Sequence, residues 1–341
     1  MGSIKIKTVL NQLKKDLIGK DSYRGVTLTY AWLANQFGHI ALGFIPTFIL
    51  HTSIKDIDGY ENSICASLMV LLFWFLFELY NFLGPLLSKN KKYMFKPKWL
   101  NVAYDTFTDV VFFGLGAFLY TLYVNGITDR TALTVVILIS IYLMKASSYW
   151  YLTKMYQHYA NYPFQFRLSQ WDFNIKDEEK ETILNYMESN SSGNHLLVFG
   201  SHHSGKTSLG VGILNELSIK HKVCLYTSAM KLFSLFLTKE KTKLNNHTIW
   251  SWKESEYLLV DDVNPGNPIE EELVSLKKIA QFLDSKSTKN IDEETSKLIA
   301  SKNIIWVLGG QSSLVKENQW LEVLLKIGVD KNKIRKINLT T

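Results

Sequence analysis

The sequence predicts two parts of different class: an N-terminal all-α region of four membrane-spanning helices, and a C-terminal α/β domain with a five-stranded, mostly parallel sheet. Three features predict this. Long apolar runs crowd residues 27–145, whereas Lys, Glu, Asp, Ser and Asn dominate after about residue 165. An apolar strand then runs straight into Gly200-Ser201-His202-His203-Ser204-Gly205-Lys206-Thr207, and a helix-forming stretch follows it. A chain of 341 residues has room for both parts. The expected division is a basic tail over 1–26, the transmembrane helices over 27–152, a linker and pre-sheet helix over 153–193, and the α/β domain over 194–341.

The four spans are read as 28–50, 63–87, 105–125 and 131–152. Each is long enough for a hydrocarbon core of about 30 Å, which takes roughly 20 helical residues. The second is apolar almost throughout, while the first carries Asn35, Gln36, His39 and Pro46. Charge supports the first span. Lys5, Lys7, Lys14, Lys15, Lys20 and Arg24 precede it, and Lys89, Lys91, Lys92, Lys96 and Lys98 follow the second, whereas the connections after the first and third have almost no basic excess. Basic residues beside a span stay cytosolic. Both termini are therefore expected in the cytosol, and without the first span the two basic segments would fall on opposite sides.

The tail is basic and amphipathic but lacks the apolar core and small-residue cleavage site of a secretory signal, so it is expected to be retained. Topology then accounts for the net charge of +7. Nucleic acid is a possible partner without a specific motif, and the bilayer is the expected one. Cys65 and Cys224 have no metal-ligand spacing around them and form no disulfide framework. A Lys-, Asn- and Ile-rich, Arg-poor composition fits an AT-rich bacterial genome, which makes the bacterial inner membrane the expected location.

Ionisable groups at membrane depth need an account. They are His39, Glu78, Asp105 and Asp109, and the last two share a helical face. One reading makes Asp105 a headgroup-level residue and the rest interhelical glue. The other has His39, Glu78 and Asp109 converge on a polar site for ion passage, proton relay or a metal.

In the C-terminal part, G-x-x-x-x-G-K-[ST] between a strand and a helix marks a phosphate-binding loop. Gly200 and Gly205 let the main chain turn its N–H groups of residues such as Ser201, His202, His203, Ser204 and Ser208 toward phosphates, and the helix N-terminus adds its dipole. Lys206 would pair with β- and γ-phosphates, and Thr207 would ligate Mg²⁺. About 55 residues on, Tyr257-Leu258-Leu259-Val260-Asp261-Asp262 reads as a buried strand that delivers two carboxylates to its C-terminal end. Asp261 would hold Mg²⁺ through water, and Asp262 would orient the attacking water. Further strands are expected at 222–228, 303–310 and 333–339, with helices at 207–220, 229–238, 269–284 and 319–327. Gln311 and Ser312, beyond the fourth strand, are placed to sense a γ-phosphate or to form a polar turn.

The strand ending in YTSAMKLFSLF, the double aspartate after LLV and the helix that follows resemble the replication-initiator and helicase-loader branch of the AAA+ ATPases, the DnaA, DnaC and IstB relatives. The resemblance spans roughly 160–341 and implies ATP as the nucleotide and self-assembly through the ATP site. Two features depart from that pattern: the sequence stops at the fifth strand, before any helical lid, and Arg335 is the only arginine after Arg167. Lys316, Lys326 or Lys331 would replace an arginine finger poorly. Slow or partner-dependent hydrolysis is the expectation.

Phe164, Phe166 and Trp171, just upstream of the first strand, are candidates to cover the adenine, or alternatively a core and interfacial aromatic belt. Three functional readings follow. The first is a membrane-anchored, homo-oligomeric ATPase that uses Mg²⁺ and ATP to drive its helical part or an unidentified protein partner. The second is a nucleotide-gated effector or channel, such as anti-phage defence uses. The third is a membrane-anchored GTPase, since GKTSL also occurs in small GTPases, but N-K-x-D, T-K-x-D and a D-x-x-G after the acidic strand are all missing.

Overall fold

The computed structural model describes residues 4–18, 26–59, 62–87, 93–237, 249–263, 293–309 and 314–339. The chain divides into two compact units. One holds Ile4–Lys92 and Pro97–Leu152; the other holds Thr153–Thr341 together with the short segment Tyr93–Lys96.

The first unit is helical: α1 (Ile6–Leu17), α2 (Leu28–Ile54), α3 (Ser63–Leu87), α4 (Trp99–Asn125) and α5 (Arg130–Tyr159), the last of which continues into the second unit's residues. Helices α2 to α5 are long and apolar enough to cross a membrane. α3 has the bounds read from the sequence, whereas α2, α4 and α5 outrun theirs because polar ends remain helical wherever their main-chain bonds are made. Leu72, Phe73 and Leu76 on α3, Ile45 and Phe48 on α2, and Ile137 and Leu138 on α5 are exposed. Apolar surface of that extent on helices with internally paired backbones suits a lipid environment.

α4 is the packing centre, with Phe112, Phe113, Ala117, Phe118 and Tyr120 all buried. Its closest neighbour is α2. A Cβ on Gly116 would lie 1.9 Å from the Ile40 carbonyl oxygen, and one on Gly43 would lie 2.0 Å from that of Phe113. Two glycines facing across the crossing thus let the backbones touch, the usual device where lipid removes the hydrophobic drive between helices. Ser67 Oγ of α3 bonds the Ala117 carbonyl at 2.9 Å and Thr121 Oγ1 at 2.6 Å. The proline in the weakest span is compensated. Pro46 has no N–H for the Leu42 carbonyl, and Trp74 Nε1 from α3 donates to that oxygen at 2.8 Å while its ring stacks on Phe113.

A prediction follows for this crossing. Gly116→Ala should lower the unfolding free energy in detergent by about 1–3 kcal/mol, the ordinary cost of overpacking. Gly38→Ala, whose new methyl group would meet nothing within 4 Å, should leave stability unchanged or slightly raised. Equal midpoints for the two variants in thermal unfolding would reject the close contact.

The second unit is α/β. Strands β1 (His195–Gly200), β2 (Cys224–Ser228), β3 (Tyr257–Asp261), β4 (Asn303–Val307) and β5 (Ile334–Leu339) form one sheet in the order β2-β3-β4-β1-β5, every pair parallel. Helices α6 (Asp177–Glu188), α7 (Lys206–Ile219), α8 (Ala229–Leu237), α9 (Glu293–Ser301) and α10 (Leu314–Lys326) accompany it. β1, β3 and β4 are buried along their whole length, as continuous apolar runs require when both faces are covered. α7 is buried from Leu209 to Ile219: Gly210 lies against Leu259, and Gly212 lies against the main chain of Leu168. The helix read at 269–284 lies outside the described residues.

His195 is a fully buried titratable group at the start of β1. Its Nδ1 accepts the Trp306 indole N–H at 3.1 Å, which places the proton of the neutral ring on Nε2. Nε2 faces the Ile299 and Ala300 main chain outside hydrogen-bonding geometry. Burial drives its pKa from 6.5 to about 4. The fold therefore holds the neutral ring. That contribution is complete above about pH 6.5 and falls as pH drops through 4, because the unfolded chain takes up the proton first. The loss should approach about 3 kcal/mol. Unfolding free energies of wild type and His195→Asn, measured from pH 4 to 7, should diverge over that window, and parallel curves would contradict it.

Candidate phosphate-binding site

The site lies at the C-terminal ends of β1 and β3, where open parallel sheets bind ligands. β1 delivers Gly200 to the loop and β3 delivers Asp261; β4 lies between the two strands. Between loop and helix, Gly205 is the N-cap of α7, with φ +79 and no side-chain cap. That left-handed conformation suits glycine, and a Cβ there would come 2.6 Å from Phe173. The first N–H groups of α7 are thereby left without a side-chain acceptor, the arrangement that receives an anion.

Lys206 Nζ donates to the Gly200 carbonyl at 2.8 Å and to that of Ser201, so the ammonium is folded over the loop. Burial pulls its pKa below the ordinary lysine value, and Asp261 opposes that shift. Ser201 Oγ is buried and has no hydrogen-bond partner among the described residues. Thr207 Oγ1 donates to Asp261 Oδ1 at 3.2 Å. This hydroxyl and carboxylate therefore meet at about the spacing of neighbouring ligands around a small octahedral cation, roughly 3 Å. Asp261 is 3 % exposed and also accepts from Tyr226 Oη at 3.0 Å and from the Asp262 N–H at 2.9 Å. Burial, with Asp261 beside it, pushes the Tyr226 phenol well above its usual value.

Asp262 is exposed at the mouth, with φ 55. Partial desolvation, then the charge of Asp261, raise its carboxyl above the ordinary range. His203, at φ 62, is a second non-glycine residue in the left-handed region here, and its ring meets that of His202 edge to face at 3.8 Å. Such conformations persist where surroundings enforce them, often at functional sites. Together these groups line a cleft of about 430 Å³ with Phe164, Phe173, Ser204, Ser208 and Val307.

Lys206, Thr207, Asp261 and Asp262 are thus brought together. The aromatic expectation divides. Phe164 lines the cleft, Phe166 is partly buried against the core, and Trp171 is not a cover at all. Trp171 is 1 % exposed, packs on Phe95 and donates its indole N–H to the Gly205 carbonyl at 3.0 Å. Trp171 thus follows the core-packing alternative, and Phe173, two residues on, lines the cleft. Arg335 falls within β5, paired with Leu196 near the strand's start and away from the Gly200 end. Gln311 and Ser312 lie outside the described residues.

In the helical unit, His39 Nε2 and Asp109 Oδ1 are 3.5 Å apart, joining α2 to α4. Asp105 and, from α3, Glu78 lie within electrostatic range of Asp109. No three such side chains among the described residues are grouped to hold one metal ion.

No protein-family model matches this chain, and no curated protein matches it. Among solved structures, one described as the crystal structure of DnaI is similar over 52% of this chain and 89% of that chain, at 17% identity and a TM-score of 0.31. A likeness that slight carries no argument, so the functional reading stands on the geometry above.

Proposed function

We propose that the α/β unit binds ATP with Mg²⁺, and that α2 to α5 anchor it in a membrane, with the nucleotide state coupled to those helices or to a partner. One observation carries the reading: the loop cation Lys206, the hydroxyl of Thr207 and the buried carboxylate of Asp261 meet at one sheet edge behind an uncapped helix N-terminus. Lys206, released from the loop carbonyls, would pair with β- and γ-phosphate oxygens. Thr207 and Asp261 would hold the cation, which supplies charge neutralisation on those phosphates when bound. Asp262 would accept a hydrogen bond from the attacking water and turn it in line.

The test is nucleotide binding and turnover by the full-length protein in lipid nanodiscs, with ATP and GTP, with and without Mg²⁺. Mg²⁺-dependent binding of ATP in preference to GTP is the expected result. No binding of either would reject the reading, and GTP preference would replace it with a GTPase.

The His39–Asp109 contact, with Asp105 of α4 and Glu78 of α3 within electrostatic range of Asp109, favours one alternative: a nucleotide-gated conductance. Absence of ATP-dependent ion flux in proteoliposomes that show ATPase activity would dismiss it.

A further inference from the structure

Helix α1 has two unlike sides, and only one is accounted for by the fold. On that side Asp16 is buried and accepts from Thr29 N at 3.1 Å and from Thr29 Oγ1 at 2.7 Å. Gln12 Nε2 donates to both carboxylate oxygens at 2.9 Å. A carboxylate at the head of α2 meets free main-chain N–H groups and the positive end of the helix dipole. Thr29 Oγ1 in turn meets Tyr151 Oη of α5 at 2.8 Å. Because Thr29 is in the first turn of α2, this network fixes α1 beside the point where the first long apolar helix begins.

The other side is apolar and largely exposed among the described residues. Ile6, Leu10, Leu13 and Leu17 recur at steps of four, three and four residues, which keeps them on one stripe of a helix. Ile6, Leu10 and Leu17 are 79%, 59% and 46% exposed. Exposed lysines border the stripe, with Lys7 and Lys14 seven residues apart on one flank and Lys5 on the other. A stripe of branched aliphatics between lysines, held at the level of a span's first turn, matches a helix lying in the plane of a membrane surface. The lysines select the surface: anionic headgroups attract each nearby basic residue, by up to about fivefold in partitioning.

We infer that α1 is an interfacial helix that binds the anionic phospholipids of the leaflet from which α2 enters, with Ile6, Leu10 and Leu17 at the acyl boundary and Lys5, Lys7 and Lys14 on headgroup phosphates. This rests on α2 to α5 spanning the membrane, and the experiment separates the two claims. In full-length protein carrying Cys65→Ser and Cys224→Ala, single cysteines are placed by Leu10→Cys, Asn11→Cys and Leu72→Cys. Each variant is put in nanodiscs of phosphatidylcholine alone or with one-third phosphatidylglycerol, and labelled with a water-soluble maleimide.

Protection at position 10 with free labelling at position 11 is expected in the anionic discs. Protection should weaken in the neutral discs, and in anionic discs after K5Q/K7Q/K14Q. Labelling at 10 as fast as at 11 overturns the inference. So does protection at 10 that is equal in both lipids and indifferent to the lysine changes. Protection that survives in detergent and grows with protein concentration assigns the stripe to a second copy and also overturns it. Position 72, exposed on the middle of α3, is the control. Its free labelling would remove the membrane reading itself, whereas protection at 72 with labelling at 10 would remove only the lipid contact of α1.

Discussion

Lys206→Ala is expected to abolish nucleotide binding at ordinary concentrations while the protein remains integrated in the membrane. Among the described residues that line the cleft, Lys206 is the one lysine or arginine. Its ammonium already sits against the Gly200 and Ser201 carbonyls, so an incoming phosphate meets it at the loop without a long side-chain search. Removing one partner of a desolvated charge pair costs about 2–5 kcal/mol, roughly 30- to 5,000-fold in Kd. The fold should tolerate the change, since the two loop carbonyls it bonds can turn to water in an open cleft. Titration calorimetry with Mg·ATP checks the affinity, and resistance to carbonate extraction checks the membrane part. An unchanged Kd would remove the phosphate-loop assignment.

Asp262→Asn should separate binding from turnover. Asparagine, like aspartate, tolerates the left-handed backbone found at this position, so the turn after β3 should survive. Charge and proton affinity are lost. Because partial burial and the neighbouring Asp261 hold the Asp262 carboxyl above its ordinary range, it suits a group that takes a proton from water. Turnover should fall by about 10²–10⁴-fold with ATP and Mg²⁺ affinity retained. In the wild type, turnover should decline as pH falls through that raised value. Equal turnover by wild type and variant would take Asp262 out of the reaction, and loss of Mg²⁺ affinity would mean that it shares the cation with Asp261.

The turn from Gly200 into the start of α7 was legible because its information is local: consecutive residues specify a turn, a helix N-terminus and a cation, whatever surrounds them. Asp261 was legible for a related reason, since an apolar run ending in an acid reads as a buried strand with a polar tip. The helical region announced itself through composition, and the weak span containing Pro46 was supported by lysine placement. What escaped the sequence depends on distant neighbours. Trp171 and Phe173 are near in sequence and similar in chemistry, and the tertiary surroundings of Trp171, Phe95 and the Gly205 carbonyl among them, decide which is interior. Tyr226 reaches Asp261 because β2 lies beside β3, which follows from strand order rather than from either strand alone. The bond from Trp74 to the Leu42 carbonyl likewise has no local signature.

The indole of Trp171 has a practical use. A buried ring whose N–H is tied to the carbonyl of Gly205, the N-cap of α7, should change its emission if the proposed site takes up an anion. On that proposal the ring would serve as an optical gauge of occupancy. With nine tryptophans in the chain, the signal is isolated by subtracting the titration of Trp171→Phe from that of the wild type. The difference should saturate with nucleotide and vanish in Lys206→Ala, giving a readout of binding that needs neither turnover nor a labelled ligand.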